Sequence, residues 1–301
     1  MLDSRMNPDQ MRTIDHVLGS LAIGDPVAYG GLTIFPLFRE TSAPGELGYT
    51  LLKEAVARGT ARVTEIDARG SVPQLRFENL GDKPVLLLDG EELVGAKQNR
   101  VVNLTILAPA KQVVVIPVSC VEAGRWEAKT EDFQPAEHVM YSRARAAKAA
   151  QVSLSMVAGD DRQADQSAIW NEIALKSRSL GALSATGAMK AIYDARGGAI
   201  DEYLRAFVWK ERQAGLIFSI GSEDMGLDLM DHPHAMRAML PKLVRSYALD
   251  ALEARHSAPA TTDAAKEFIR RIGRAESLIR PAVGIGEDVR LNQDGISGAA
   301  L

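Results

Sequence analysis

Two stretches of the chain, LLLDGEELVGAKQNRVVN and VIPVSCVEAGRW, carry almost all of its site-like polar residues. Glu92 and Glu122 are carboxylates of the type that divides acid and base work: one stays protonated, the other accepts a proton, as cleavage of a glycosidic bond requires. The same pair can instead neutralise Lys97, Arg100 and Arg125 as structural ions. Arg100 and Arg125 offer the planar fork that grips a phosphate or carboxylate through two parallel bonds, and Lys97 adds a less directional charge. Gln98, Asn99 and Asn103 supply directional donors and acceptors. Cys120 is a nucleophile only where a neighbouring cation favours its thiolate. No base lies beside it in sequence, His138 is the closest histidine, and an inert thiol buried in a strand is the competing reading. Trp126 can stack on a ligand ring or cap the core.

Other chemistries are left incomplete. Asp231, His232 and His234 have the spacing for two metal ligands on an extended segment, but no third ligand accompanies them and Asp231 doubles as a helix cap, so no metal site is expected. No glycine-rich phosphate loop opens a helix, which argues against a nicotinamide-dependent dehydrogenase of Rossmann type. The formal charge of -4 over 301 residues gives no basic footprint for nucleic acid. A single cysteine, Cys120, excludes an internal disulfide and points to a reducing, cytoplasmic setting. The first residues lack the apolar core of a signal peptide, and no run approaches a membrane span, so no membrane partner is expected. Asn103-Leu104-Thr105 matches a glycosylation acceptor that has no meaning inside a cytoplasmic strand.

These residues need a scaffold. Asn7 and Pro8 open a short amphipathic helix, with Ile14, Val17, Leu18 and Leu21 at helical spacing. Strands are predicted at 32–38, 61–66 and 74–79, and a helix at 51–57 ending at Gly59. Beyond Trp126 a polar loop through Gln134 and Pro135 leads to an alanine-rich helix from Ser142, broken at Gly159-Asp160-Asp161. Asp165 caps a further helix, Ile200 to Trp209 forms another, and residues 215–221 return to a strand. A long helix after Pro233 meets Pro241, where a kink or restart is expected, and another helix spans about 262–279. Gln293-Asp294-Gly295 suggests a closing hairpin. The result is an α+β fold: a mainly antiparallel sheet from the N-terminal half with helices from the C-terminal half packed on it. Residues 1–301 read as a single domain, with a possible subdivision into a β-rich part, 1–140, and a mainly helical part, 141–301.

Position then follows from topology. The apolar runs ending at Leu88, spanning Arg100–Leu107 and spanning Val113–Val118 read as an antiparallel meander. Its strand ends gather Glu92, Lys97–Arg100, Cys120, Glu122 and Arg125 at one edge, with Arg100 opposite Ser119 within a residue or two. Gly90 and Gly95 permit turn conformations closed to other residues. Pro117 has no amide to donate, so its strand must be an edge or bulged there.

The two polar stretches, together with GLIFSIGSEDMGLDLMD and LPKLVRSYALDAL, resemble the ARG- and rhodanese-phosphatase-associated protein domain family, which is named for its neighbours, over most of the chain from about residue 20. Its motif residues correspond here to Glu92, Gly95, Lys97, Gln98, Asn99, Arg100 and Asn103, and then to Cys120, Glu122, Gly124, Arg125 and Trp126. The resemblance implies, by association, a link to ADP-ribosylglycohydrolases and so to NAD or ADP-ribose metabolism. The expected function is a nucleotide-related ligand site, either of an enzyme acting on ADP-ribose or NAD derivatives or of a non-catalytic sensing or interaction module using the same pocket. A purely structural strand junction is the third possibility.

Overall fold

The strand Val113–Cys120 starts exposed and becomes fully buried over its last five residues, so one β-branched run serves first as surface and then as core. It lies inside a six-stranded antiparallel sheet with the order Phe133–Val139, Glu91–Gly95, Arg100–Val102, Val113–Cys120, Gln74–Asn79 and Ala61–Thr64. The computed structural model describes residues 8–39, 45–67, 70–159, 162–221, 224–254, 258–293 and 295–301. The turn and cap residues expected at Asn7, Asp160, Asp161 and Asp294 lie outside them.

The fold is α+β and divides into two compact units. The site-bearing unit comprises Gly48–Gly197, Pro281–Asp288 and Ala299–Leu301. Its core joins Leu52, Val63, Leu75, Phe77, Leu87, Leu93, Val102, Ile116 and Phe133, each at most 2% exposed, and each large side chain among them contributes roughly 1.5–3 kcal/mol by leaving water. Helices Ser142–Ala158 and Gln166–Ser179 follow the sheet, the second capped by Asp165, whose carboxylate accepts the Ser167 and Ala168 amides.

The other unit comprises Met1–Leu47, Gly198–Arg280 and Val289–Gly298. Its centre is the strand Gln213–Ile220, buried at every residue and paired on both sides, by Leu32–Arg39 and Asp224–Leu229. The helix Pro233–Ala251 runs through Pro241 without interruption, and His232 rather than Asp231 caps it by accepting the His234 amide. The last predicted helix stops at Arg274, and Ser277–Pro281 is a strand. No described helix is long and apolar enough to cross a membrane.

The three-strand meander is corrected in two ways. The run Arg100–Leu107 breaks, so that Arg100–Val102 joins the large sheet while Ile106–Ala108 pairs with Val85–Leu87 in a separate three-stranded sheet. The supposed polar connection contains the strand Glu91–Gly95, and the supposed polar loop before Ser142 contains Phe133–Val139. Pro117 is also not at an edge. Pairing with Gln74–Asn79 ends at Pro117 and pairing with Arg100–Val102 begins at Val118. At this handover the Pro117 carbonyl accepts the Asn103 amide (3.0 Å), no amide can answer, and the Asn103 carbonyl accepts the Lys148 ammonium instead (2.9 Å).

Candidate functional site

Strand register decides how the polar residues meet. Leu93, Arg100 and Cys120 lie in one row across three strands, and Glu92, Val101 and Ser119 in the next. Side chains alternate between faces, so Arg100 and Cys120 project to one side of the sheet and Glu92 to the other. The residues expected in one pocket wall form two groups, sewn together at the strand ends.

On the first face Gln98 Oε1 accepts both from Arg100 Nη1 (3.1 Å) and from the Cys120 thiol (3.2 Å), while Gln98 Nε2 donates to the Glu122 carbonyl (3.0 Å). Arg100 is fully buried, and its Nε and Nη2 have no partner. Burial pulls its guanidinium below the ordinary arginine range, against the opposing pull of Cys120, Glu65 and Glu122. The Trp126 ring centroid lies 5.8 Å from the Arg100 guanidinium and 5.3 Å from the Lys97 ammonium. Trp126 is 49% exposed, so the core-capping reading gives way to an indole at the surface flanked by two cations. Burial pushes the Cys120 thiol up, more than the Glu122 main chain and Arg100 draw it down.

On the second face Glu92, fully buried, accepts from Asn99 Nδ2 at Oε1 (3.1 Å) and meets His138 Nε2 at Oε2 (2.5 Å). The His138 ring stacks on Tyr193 at a centroid distance of 3.7 Å, and the Tyr193 hydroxyl donates to the Val139 carbonyl (2.7 Å). His138 thus serves Glu92, not the thiol.

Glu122 ties the faces together. Its Oε2 accepts from Arg125 Nη2 (2.6 Å) and the Asn99 amide (3.1 Å), and its Oε1 from the Thr186 hydroxyl (2.8 Å). Burial works to raise this carboxyl, but the three donors outweigh it and hold Glu122 below the usual carboxylate value. An ionised Glu122 is a poor general acid. Arg125 is largely spent inside the protein, donating also to the carbonyls of Ala96 (2.5 Å), Glu127 (2.8 Å) and Gly95 (3.3 Å). Asn103 is committed as well: its side chain accepts from Ser119 (2.8 Å) and donates to the Arg162 carbonyl (3.1 Å). Gly124 lets the Thr186 segment approach, since a β-carbon there would sit 3.0 Å from Thr186 Cα.

Sequence reasoning found Arg100, Gln98, Asn99, Glu92 and Glu122 but missed three supporting side chains. Tyr193 and Thr186 come from distant segments, and Gln166 forms a paired bridge to the Cys120 main chain, accepting its amide (2.8 Å) and donating to its carbonyl (2.7 Å). None had a local signal. Among the described residues no group of three or more His, Cys, Asp or Glu could hold a metal ion; His232 accepts the His234 amide at Nδ1 and donates from Nε2 to the Gly45 carbonyl (2.9 Å). The arrangement leaves two Arg100 nitrogens without a protein partner on one face and holds the His138 ring between Glu92 and Tyr193 on the other.

No curated protein and no solved structure matches the chain. The family model described as the ARG and Rhodanese-Phosphatase-superfamily-associated Protein domain matches residues 20–301, which include both faces of the site, and the chain belongs to that family.

Proposed function

We propose that this protein binds a phosphate-bearing, nucleotide-related small molecule, of the class of ADP-ribose and NAD derivatives, at the ends of the strands Arg100–Val102 and Val113–Cys120. The observation that carries the reading is the fully buried Arg100 guanidinium, two of whose nitrogens have no protein partner. A buried charge is costly and its donors are normally satisfied, so unused N–H directions point to an anion or ordered water as the missing acceptor. Lys97 supplies a second positive charge, and the half-exposed Trp126 indole a flat surface for a base. The free thiol of Cys120 suits a reducing, cytoplasmic setting.

Glu122 and Arg125 satisfy each other, which favours a sensing module over a glycosidase-like carboxylate pair. The enzymatic alternative rests on Glu92 and its histidine. Isothermal titration with ADP-ribose, NAD and inorganic pyrophosphate tests the binding reading: wild type takes up at least one of them, Arg100→Lys and Lys97→Ala bind more weakly, and Trp126→Ala loses affinity for the nucleotides more than for pyrophosphate. Absence of heat with all three compounds on folded wild type overturns it.

A further inference from the structure

We infer that Glu65 and Arg100 form a two-ended clamp for a sugar phosphate, the guanidinium taking the phosphate and the carboxylate a neighbouring hydroxyl. The inference rests on the anion site proposed above and names the class of ligand that site takes. Glu65 is far from Arg100 in sequence, and the curl of the six-stranded sheet brings it close. The outer strands, Ala61–Thr64 and Phe133–Val139, meet where Thr64 bridges Asp132, and Phe133 in turn pairs with Gly95. Glu65, the residue after Thr64, is thereby set against the turn that follows Gly95, and its Oε1 accepts the Lys97 amide (3.4 Å).

Each half of the clamp has one end committed and one end open. Arg100 Nη1 donates to Gln98 Oε1 (3.1 Å) and the Asn99 carbonyl (3.5 Å), while Nε and Nη2 are buried without a partner. These two nitrogens form the side edge of the guanidinium, whose parallel N–H bonds match two oxygens of one phosphate. Glu65 Oε2 is likewise buried without a partner. The two residues are neighbours: burial draws the Arg100 guanidinium down, and the charges of Cys120 and then Glu65 draw it back up. Yet no hydrogen bond joins them. A structural ion pair would satisfy both ends, whereas here two donors and one acceptor, each costly to bury unsatisfied, are left over in one place.

The leftover groups specify the ligand. A bare anion satisfies Arg100 but is repelled by Glu65, so the carboxylate selects for a molecule that carries a hydrogen-bond donor beside its phosphate. A guanine edge needs both carboxylate oxygens, and Oε1 already holds the Lys97 amide; Oε2 alone suits a single hydroxyl. A sugar phosphate supplies that combination. The way in is short, because Trp126, its ring centroid 5.8 Å from the Arg100 guanidinium, is 49% exposed, and Glu65 and Lys97 are themselves only partly buried. One layer of side chains separates the guanidinium from solvent on this side.

Ribose 5-phosphate and propyl phosphate carry the same charge, but propyl phosphate has no hydroxyl. Titrated by NMR beside ADP-ribose and pyrophosphate, wild type binds ribose 5-phosphate about tenfold or more tightly than propyl phosphate, the worth of one hydrogen bond to a charged group. Glu65→Gln, which keeps the shape and a weaker acceptor, reduces that preference, and Glu65→Ala abolishes it. Propyl phosphate binds both variants no more weakly than wild type, because a repelling charge is gone, whereas loss of a merely structural carboxylate would weaken both esters alike. The readout is a ratio of two ligands on one protein, so reduced stability of a variant does not imitate it. Equal affinity of wild type for the two esters, the result expected if water alone spans the gap, overturns the clamp. So does a preference that survives in Glu65→Ala, or binding of neither ester. Uptake of ADP-ribose or pyrophosphate in the same experiment then leaves the anion reading standing, and silence with all four compounds removes both.

Discussion

Arg100 stands directly across from Cys120 on neighbouring strands, yet the two are joined through a third group: the single oxygen Gln98 Oε1 accepts from both. That shared acceptor requires the cysteine to present its S–H, not a thiolate, and so keeps a nearby cation from activating it.

Cys120 should therefore be silent toward thiol reagents in the folded protein. Its thiol is completely buried and burial raises it from its ordinary value, so iodoacetamide at neutral pH labels it at a small fraction of the rate seen in urea. Cys120→Ser, which retains a donor to Gln98, preserves any ligand binding. Rapid labelling of native protein, quantified by mass spectrometry, contradicts the buried-thiol account.

Glu122 gives an acid-sensitive component of stability. Burial pushes its carboxyl up, but Arg125, Thr186 and the Asn99 amide bind the ionised form and bring it below the reference value of 4.5. A carboxyl more acidic in the folded chain than in the unfolded one stabilises the fold fully above the unfolded value, and this contribution drains away as pH falls from there through the folded value. Urea midpoints of wild type therefore decline as pH drops below 4.5, and those of Glu122→Gln decline less steeply. Parallel acid limbs for the two proteins contradict this. Arg125→Met, which strands the buried carboxylate, costs about 3–5 kcal/mol at neutral pH.

Lys148 closes the gap that Pro117 leaves in the sheet. Its ammonium is 1% exposed as a residue, pairs with Asp89, and donates to the Val102 (3.2 Å) and Asn103 (2.9 Å) carbonyls. Lys148→Met removes a charge while keeping the stem, so it leaves Asp89 without this cation and two carbonyls without this donor. A loss of about 3–5 kcal/mol is expected in chemical denaturation. Adding Asp89→Asn recovers part of it, since the stranded charge disappears; equal stability of single and double variants argues against the coupling.

The sequence placed the two polar stretches side by side but read their register one residue out: Arg100 was expected opposite Ser119 and lies opposite Cys120, a slip that changes which side chains share a face, and Val113–Cys120, whose last five residues are all buried, has no alternation to fix it. Asp165 was readable as a cap because capping is local. The strand Glu91–Gly95 was hidden because acidic residues are depleted from strands, and what makes two buried glutamates tolerable there comes partly from afar. Glu91 accepts the nearby Leu88 amide, but Glu92 needs His138, 46 positions on, and Glu122 needs Thr186, 64 positions on. Side-chain chemistry alone could not reveal that Glu92 and Arg100 project to opposite faces; that follows from the pairing of Leu93 with Arg100.

Gly95 holds the turn that presents Lys97–Arg100. Its φ of +136° lies where side-chain-bearing residues are strained, and a β-carbon would come within 2.5 Å of Thr130 Oγ1 and 2.7 Å of the Asp132 carbonyl. The Thr130 hydroxyl could swing, but the Asp132 carbonyl belongs to the chain entering the strand Phe133–Val139, whose first residue pairs with Gly95 itself. Gly95→Ala must therefore push the two strands apart at their joined end. The main-chain strain costs of order 1–3 kcal/mol, and the Gly95 carbonyl and amide lose their aim at Arg125 and Asn99. Stability falls by at least that amount in a urea titration, and the amides of Ala96 to Asn99 exchange hydrogen faster than in wild type while those of Gln74–Asn79 do not. Uniformly faster exchange over the whole sheet would mean that Gly95 supports global stability instead of the local aim of the turn.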